Sequence, residues 1–176
     1  EIMAPVGSYE SLEAAIKARA DSVYFGIEQL NMRARSSNNF TLKDLRKIIN
    51  RCNAVNVRTY LTLNTIIYDH DINLMKKICL AAKEAGITAI IASDLAVITY
   101  ANSIGLEIHI STQANASNLE TVKFYSKFAS VIVLARELTL KQINDICKNI
   151  EKEKITGPSG NLVQIEIFAH GALCVA

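Results

Sequence analysis

Tryptophan is absent from the 176 residues, and proline (2) and glycine (7) are scarce. An all-β sandwich needs turn chemistry every ~8–12 residues, so that class is excluded. Charge of one sign is missing too: 19 Lys and Arg stand against 17 Asp and Glu, a formal net charge of +2. A basic mantle for nucleic acid is therefore excluded, and only a local basic site stays open. No apolar run approaches the ~18–20 residues of a membrane span. The start, Glu1-Ile2-Met3-Ala4-Pro5, lacks the basic and apolar parts of a signal peptide, so a cytoplasmic location is expected. The four cysteines, Cys52, Cys79, Cys147 and Cys174, contain no CxxC pair and in that compartment are not read as disulfides. GxGxxG, GxxxxGK[ST], HExxH and GxSxG are all missing. Dinucleotide and triphosphate loops, the zinc-protease helix and the serine elbow are thereby disfavoured.

What remains is an even alternation of short apolar runs and helix-period segments. The pattern predicts strands near 2–5, 22–26, 57–64, 88–93, 107–112, 131–136 and 163–169. Helices are predicted near 9–19, 42–53, 72–85, 95–104, 118–128 and 140–152. Thr41 with Asp44, and Thr139 with Gln142, have capping-box spacing. Gly86 and Gly105 follow helical segments, where a left-handed cap favours glycine. Leu45, Ile48, Ile49 and Cys52 share a helix face, as do Ile72, Met75, Cys79 and Ala82, and Leu140, Ile143, Cys147 and Ile150. On such stripes Cys52, Cys79 and Cys147 read as small buried hydrophobes.

Seven strands alternating with six helices imply an α/β fold with a parallel sheet. A doubly wound open sheet predicts strands apolar on both faces. Three strands depart from that. Arg58, Tyr60, Thr62 and Asn64 alternate with Val57, Thr59, Leu61 and Leu63. Glu107, His109, Ser111 and Gln113 alternate with Leu106, Ile108 and Ile110. Gln164, Glu166, Phe168 and His170 alternate with Val163, Ile165, Ile167 and Ala169. Period two puts each polar row on one face, which suits the lumen of a (β/α) TIM-type barrel. A full barrel needs ~250 residues. The expectation is one barrel domain over 1–176, incomplete after its seventh strand, with open edges that invite a homo-oligomer.

In such a barrel the chemistry gathers at the C-terminal ends of the strands. His170, His109 and Glu166 are candidates for moving a proton or polarising a carbonyl. Arg136, beside Glu137, is placed to clamp a carboxylate or phosphate through two N–H groups. Asn64, Asp94 and Gln113 offer polar contacts to a substrate, and Asp94 equally suits an N-cap. Asn31 and Arg33 lie in the long loop after the second strand, where Arg33 could meet a phosphate or simply be solvated.

The string Glu166-Ile167-Phe168-Ala169-His170-Gly171-Ala172-Leu173-Cys174-Val175-Ala176 closely resembles the start of the signature of the collagenase-like peptidases of unknown catalytic type. Ala4-Pro5-Val6-Gly7-Ser8, Ala20 to Gly26, Asn31-Met32-Arg33-Ala34-Arg35, Thr62 to Thr65, Ser93-Asp94-Leu95, His109 to Gln113 and Leu134 to Leu138 match in order and spacing. The resemblance implies two chemistries. Some members are named for collagen degradation. Others resemble iron–sulfur proteins for oxygen-independent hydroxylation of tRNA, ribosomal RNA or ubiquinone precursors, with prephenate linked to the RNA reactions. Cys174 matches the first cysteine of the signature, so a cluster is expected only in a fuller protein that carries the later cysteines. The substrate is then RNA, a small molecule or a peptide, with no membrane involved. Hydroxylation is the leading expectation, peptidase activity the second, and a non-catalytic barrel segment for assembly the third.

Overall fold

The computed structural model describes residues 1–27, 30–31 and 40–171. Its seven strands are β1 (Met3–Pro5), β2 (Ser22–Gly26), β3 (Arg58–Leu63), β4 (Ala89–Ala92), β5 (Ile108–Ile110), β6 (Val131–Val133) and β7 (Gln164–Glu166). Its helices are α1 (Tyr9–Lys17), α2 (Leu42–Asn53), α3 (Ile72–Ala85), α4 (Leu95–Ser103), α5 (Leu119–Tyr125) and α6 (Leu140–Glu153). The strands follow chain order, and the ladders β1–β2, β2–β3, β3–β4 and β6–β7 are parallel. This is the α/β order of a TIM-type barrel. By internal contacts the chain divides into two units, Glu1–His109 and Ile110–Ala176, and the division falls within β5.

In the first unit the alternation along β3 has the expected result. Register pairs Tyr24 with Tyr60 and Tyr60 with Ala89, and two residues on Gly26 with Thr62 and Thr62 with Ile91. These lie on one face. Tyr60, Ala89 and Ile91 form a buried cluster, with Met3 and Tyr24 packed on it. The opposite row, Val23, Phe25, Leu61, Leu63 and Ile90, is almost fully buried under the helices. Phe25 meets Phe40 edge-on at 5.9 Å. Leu45, Ile48, Ile49 and Cys52 of α2 and Met75, Ile78, Cys79 and Ala82 of α3 supply the helical side of that core.

The helix ends carry the predicted signals. Thr41 N and Oγ1 both donate to Asp44 Oδ2, at 2.9 and 2.7 Å. Thr139 N donates to Gln142 Oε1 at 2.9 Å and its hydroxyl accepts from Gln142 N at 3.3 Å. Gly86 caps α3 with φ +81°, a conformation that costs glycine little.

In the second unit β7 is shorter than the sequence pattern suggests. The ladder runs through Val131–Gln164, Ile132–Ile165 and Val133–Glu166, and closes with Leu134 N donating to Glu166 O at 3.0 Å. Beyond it Ile167 and Phe168 leave the ladder and are exposed, while Leu134 also bridges Ala116. The stripe of α6 is also rotated from the expected one. Ile146 and Ile150 are buried, Cys147 is half-buried and Leu140 is 78% exposed. Leu140 is the first residue of the helix, one past the Thr139 cap, and lies beyond the covered face.

Candidate active site

The strand ends of the first unit are polar, and the backbone employs most of their polar groups. Ser8 caps α1: its hydroxyl accepts from Ser11 N at 3.2 Å, and Ser11 Oγ accepts from Ser8 N at 3.0 Å. Asn31 is 4% exposed and donates Nδ2 to Ile27 O at 3.4 Å. Thr62 Oγ1 donates to Phe25 O at 3.1 Å, across the β2–β3 ladder. Asn64, half-buried past the end of β3, accepts from Ser93 Oγ through its carbonyl at 3.2 Å.

Asp94 divides its carboxylate between two segments. Oδ1 accepts from Ala96 N at 2.8 Å and caps α4, while Oδ2 accepts from Ile67 N at 3.1 Å in the loop after β3. The side chain thus ties the β3–α3 loop to the start of α4, two backbone amides holding one carboxylate.

His109 belongs to a different place. Its ring lies 4.8 Å from that of Tyr60, which is 2% exposed. Tyr60 Oη donates to Glu1 Oε1 at 3.1 Å, and Arg58 Nη2 pairs with Glu1 Oε2 at 2.8 Å. Arg58 begins β3, so this group gathers toward the N-terminal ends of the strands, whereas Asn64 and Asp94 follow the C-terminal ends. Burial pushes the His109 imidazole down to about 4, against the opposing pull of Glu107 and Glu1, with Arg58 adding to the fall. It is neutral at pH 7 and is a packed ring rather than a cation.

The second unit presents its side chains more openly. Ser111 Oγ accepts from Gln113 N at 3.3 Å and starts a 3₁₀ turn, Thr112–Ala114. Gln113 is exposed on that turn, and Asn115 closes it at φ +51°. Thr112 Oγ1 donates to Leu134 O at 3.4 Å, which fastens the turn to the end of β6. Arg136 and Glu137 follow directly, both exposed. The Arg136 guanidinium carbon lies 5.8 Å from the ring centroid of Phe168, which is 47% exposed. Glu166 is half-buried, and His170 is exposed two residues beyond Phe168. The structure thus brings Arg136 against the segment that carries Glu166 and His170. Phe168 is the member that the sequence reading missed as a site residue. Its signal was present: one phenylalanine in a row otherwise made of Gln164, Glu166 and His170.

Arg33 and Cys174 lie outside the described residues. Among the described residues no three His, Cys, Asp or Glu converge as metal ligands. Cys52 and Cys79 are buried thiols pushed up by burial to about 11 and about 12, and Cys147 is raised as well. The three stand on α2, α3 and α6 and join no ligand set among the described residues, so they do not form an iron–sulfur site. No helix among the described residues is long and apolar enough to cross a membrane.

Comparison with known proteins places this geometry in context. The sequence profile of peptidase family U32 matches residues 7–176. The chain is 62% identical, over all 176 residues, to a "Collagenase" of Porphyromonas gingivalis, of which it covers 42%. It is 31% identical over 179 aligned residues to a "tRNA hydroxylation protein P" of Escherichia coli, covering all of this chain and 37% of that protein. The chain therefore spans about two fifths of the length of the curated relatives it matches. A solved U32 peptidase superposes on 95% of this chain and 66% of its own with TM-score 0.71 at 10% identity, a likeness of fold.

Proposed function

We propose a function from one premise: the chain belongs to peptidase family U32. The reading that suits its exposed chemistry best is a cytoplasmic enzyme that hydroxylates RNA without oxygen, working as part of a longer protein. The observation that carries it is the pair Arg136 and Phe168. An exposed guanidinium beside an exposed aromatic ring offers stacking for an unpaired base and a fork for a phosphate. The same fork suits a dicarboxylate co-substrate such as prephenate. Kinship with a tRNA hydroxylation protein over the whole chain supports this reading. Within it Glu166, Glu137 and His170 are the groups for proton handling, and Asn31, Asn64, Gln113, Asp94 and Arg33 are those that shape the substrate's surroundings. An iron–sulfur cluster, with Cys174 among its ligands, belongs to this proposal for the longer protein. The described cysteines do not form it, and no step here runs through it.

The 62% identity to a protein named collagenase supports a second reading, peptide hydrolysis. The two separate cleanly. The full gene product, purified anaerobically, is returned to cells lacking it, and hydroxylated nucleosides are measured in their RNA by mass spectrometry. The same preparation is tested on denatured collagen. Hydroxylation that disappears with Arg136→Ala supports the first reading. Collagen cleavage that survives purification, with RNA unmodified, replaces it with the second.

A further inference from the structure

Gly26 ends β2 on the same face as Tyr24, whose ring packs on the Tyr60–Ala89–Ile91 cluster, and it pairs in register with Thr62. A side chain there would project from that face. The place is already taken. A Cβ built on Gly26 would stand 2.3 Å from Asn31 Cγ, 2.5 Å from its Nδ2 and 2.6 Å from its Oδ1. No real Cβ approaches a planar amide so closely. Gly26 has no left-handed φ, so its backbone alone does not call for glycine. Contact with Asn31 does.

We propose that Gly26 is a positioning residue: by lacking a side chain it lets the Asn31 carboxamide sit where the last side chain of β2 would be. The amide arrives from five residues downstream and is held by its bond to Ile27 O, 3.4 Å away, and by burial to 4% exposure. Beside it on β3 stands Thr62, itself oriented by Phe25 O. The result is a neutral donor–acceptor group at a strand end, where β2 by itself could display only its own short residue. Held at 4% exposure, it shapes the end of β2 rather than meeting a ligand itself. Its effect on activity rests on the RNA reading, whereas the lock itself does not.

Two measurements on the full gene product decide the matter. The first is a melting cycle with Gly26→Ala, Asn31→Gly and the double variant. The lock predicts that Gly26→Ala lowers Tm by several degrees in the native background and by almost nothing once Asn31 has lost its side chain. Equal shifts in both backgrounds overturn the proposal. The second is turnover and KM on RNA at a temperature where all variants are folded. Gly26→Ala and Asn31→Ala are expected to lose activity alike, by about 100-fold, as misplacing one contact can do. Full turnover in a coupled Gly26→Ala variant overturns the positioning role. If the native protein leaves RNA unmodified, the RNA reading fails, and the melting cycle alone still upholds or overturns the lock.

Discussion

The two units use their strand ends in opposite ways. In residues 1–109 polar side chains near the strand ends are largely occupied with backbone: Asp94 holds two amides, Thr62 and Ser93 donate to carbonyls, and Ser8 caps a helix. In residues 110–176 the corresponding segments leave Gln113, Arg136, Glu137, Phe168 and His170 exposed. The first unit therefore reads as a frame that fixes its own loops. The second offers side chains to a visitor. Polar residues at strand ends are not one class: exposure, not residue type, separates scaffold from chemistry.

If that contrast holds, substitutions in the first unit's core and caps should cost stability and those at the second unit's strand ends should cost binding, with Asn31 over Gly26 as the first unit's exception. The largest effect is expected for Phe25→Ala, which removes a ring 1% exposed between sheet and helix. A loss of about 3–5 kcal/mol is expected in denaturant melts, and a loss under 1 kcal/mol would mean that the core is not where the contrast puts it.

Acid comes next. The folded pKa of His109, about 4, lies below the ordinary value of 6.5, so the unfolded chain binds the proton more readily. Stability is then fully present above pH 6.5 and falls as the pH drops toward 4, by on the order of 3 kcal/mol in all. Chemical denaturation between pH 7 and 4 measures this, with His109→Phe expected to flatten the slope. An unchanged slope in that variant assigns the acid sensitivity elsewhere.

Asp94→Ala removes an N-cap and the anchor of the β3–α3 loop together, for about 1–2 kcal/mol. Hydrogen exchange at Ile67 should speed up with it, and slow exchange there would show that the loop has another hold. The smallest change in stability, within about 0.5 kcal/mol, is expected for Phe168→Ala. The same variant should weaken RNA binding about tenfold or more, the usual worth of one stacked base. Unaltered affinity in a titration would remove Phe168 from the site.

The sequence displayed the frame well and the site poorly, for physical reasons. Strands, helices, both capping boxes and the Gly86 cap come from interactions within a few residues, and periodicity exposes them. The polar row of β3 was visible because alternation is local too. Leu140 was misplaced because a helix face is decided by what packs against it, and Ile146 and Ile150 hold that side. The end of β7 is set by its ladder to β6, whose last pair joins Val133 and Glu166 across 33 positions. The fit of Asn31 over Gly26 is a side-chain contact outside any ladder, and Glu1 meets Tyr60 across 59 positions. Neither has a signature in spacing.

The buried thiols have a practical corollary. Cys52 and Cys79 lie wholly within α2 and α3 and stay protonated at neutral pH, while Cys147 on α6 is partly open to solvent. An alkylating reagent should therefore modify Cys147 from the native state and reach the other two only when α2 or α3 opens. The rates at Cys52 and Cys79 form a chemical clock with separate hands for α2 and α3. Timed labelling read by peptide mass would then show, without any engineered probe, which of these two helices opens first.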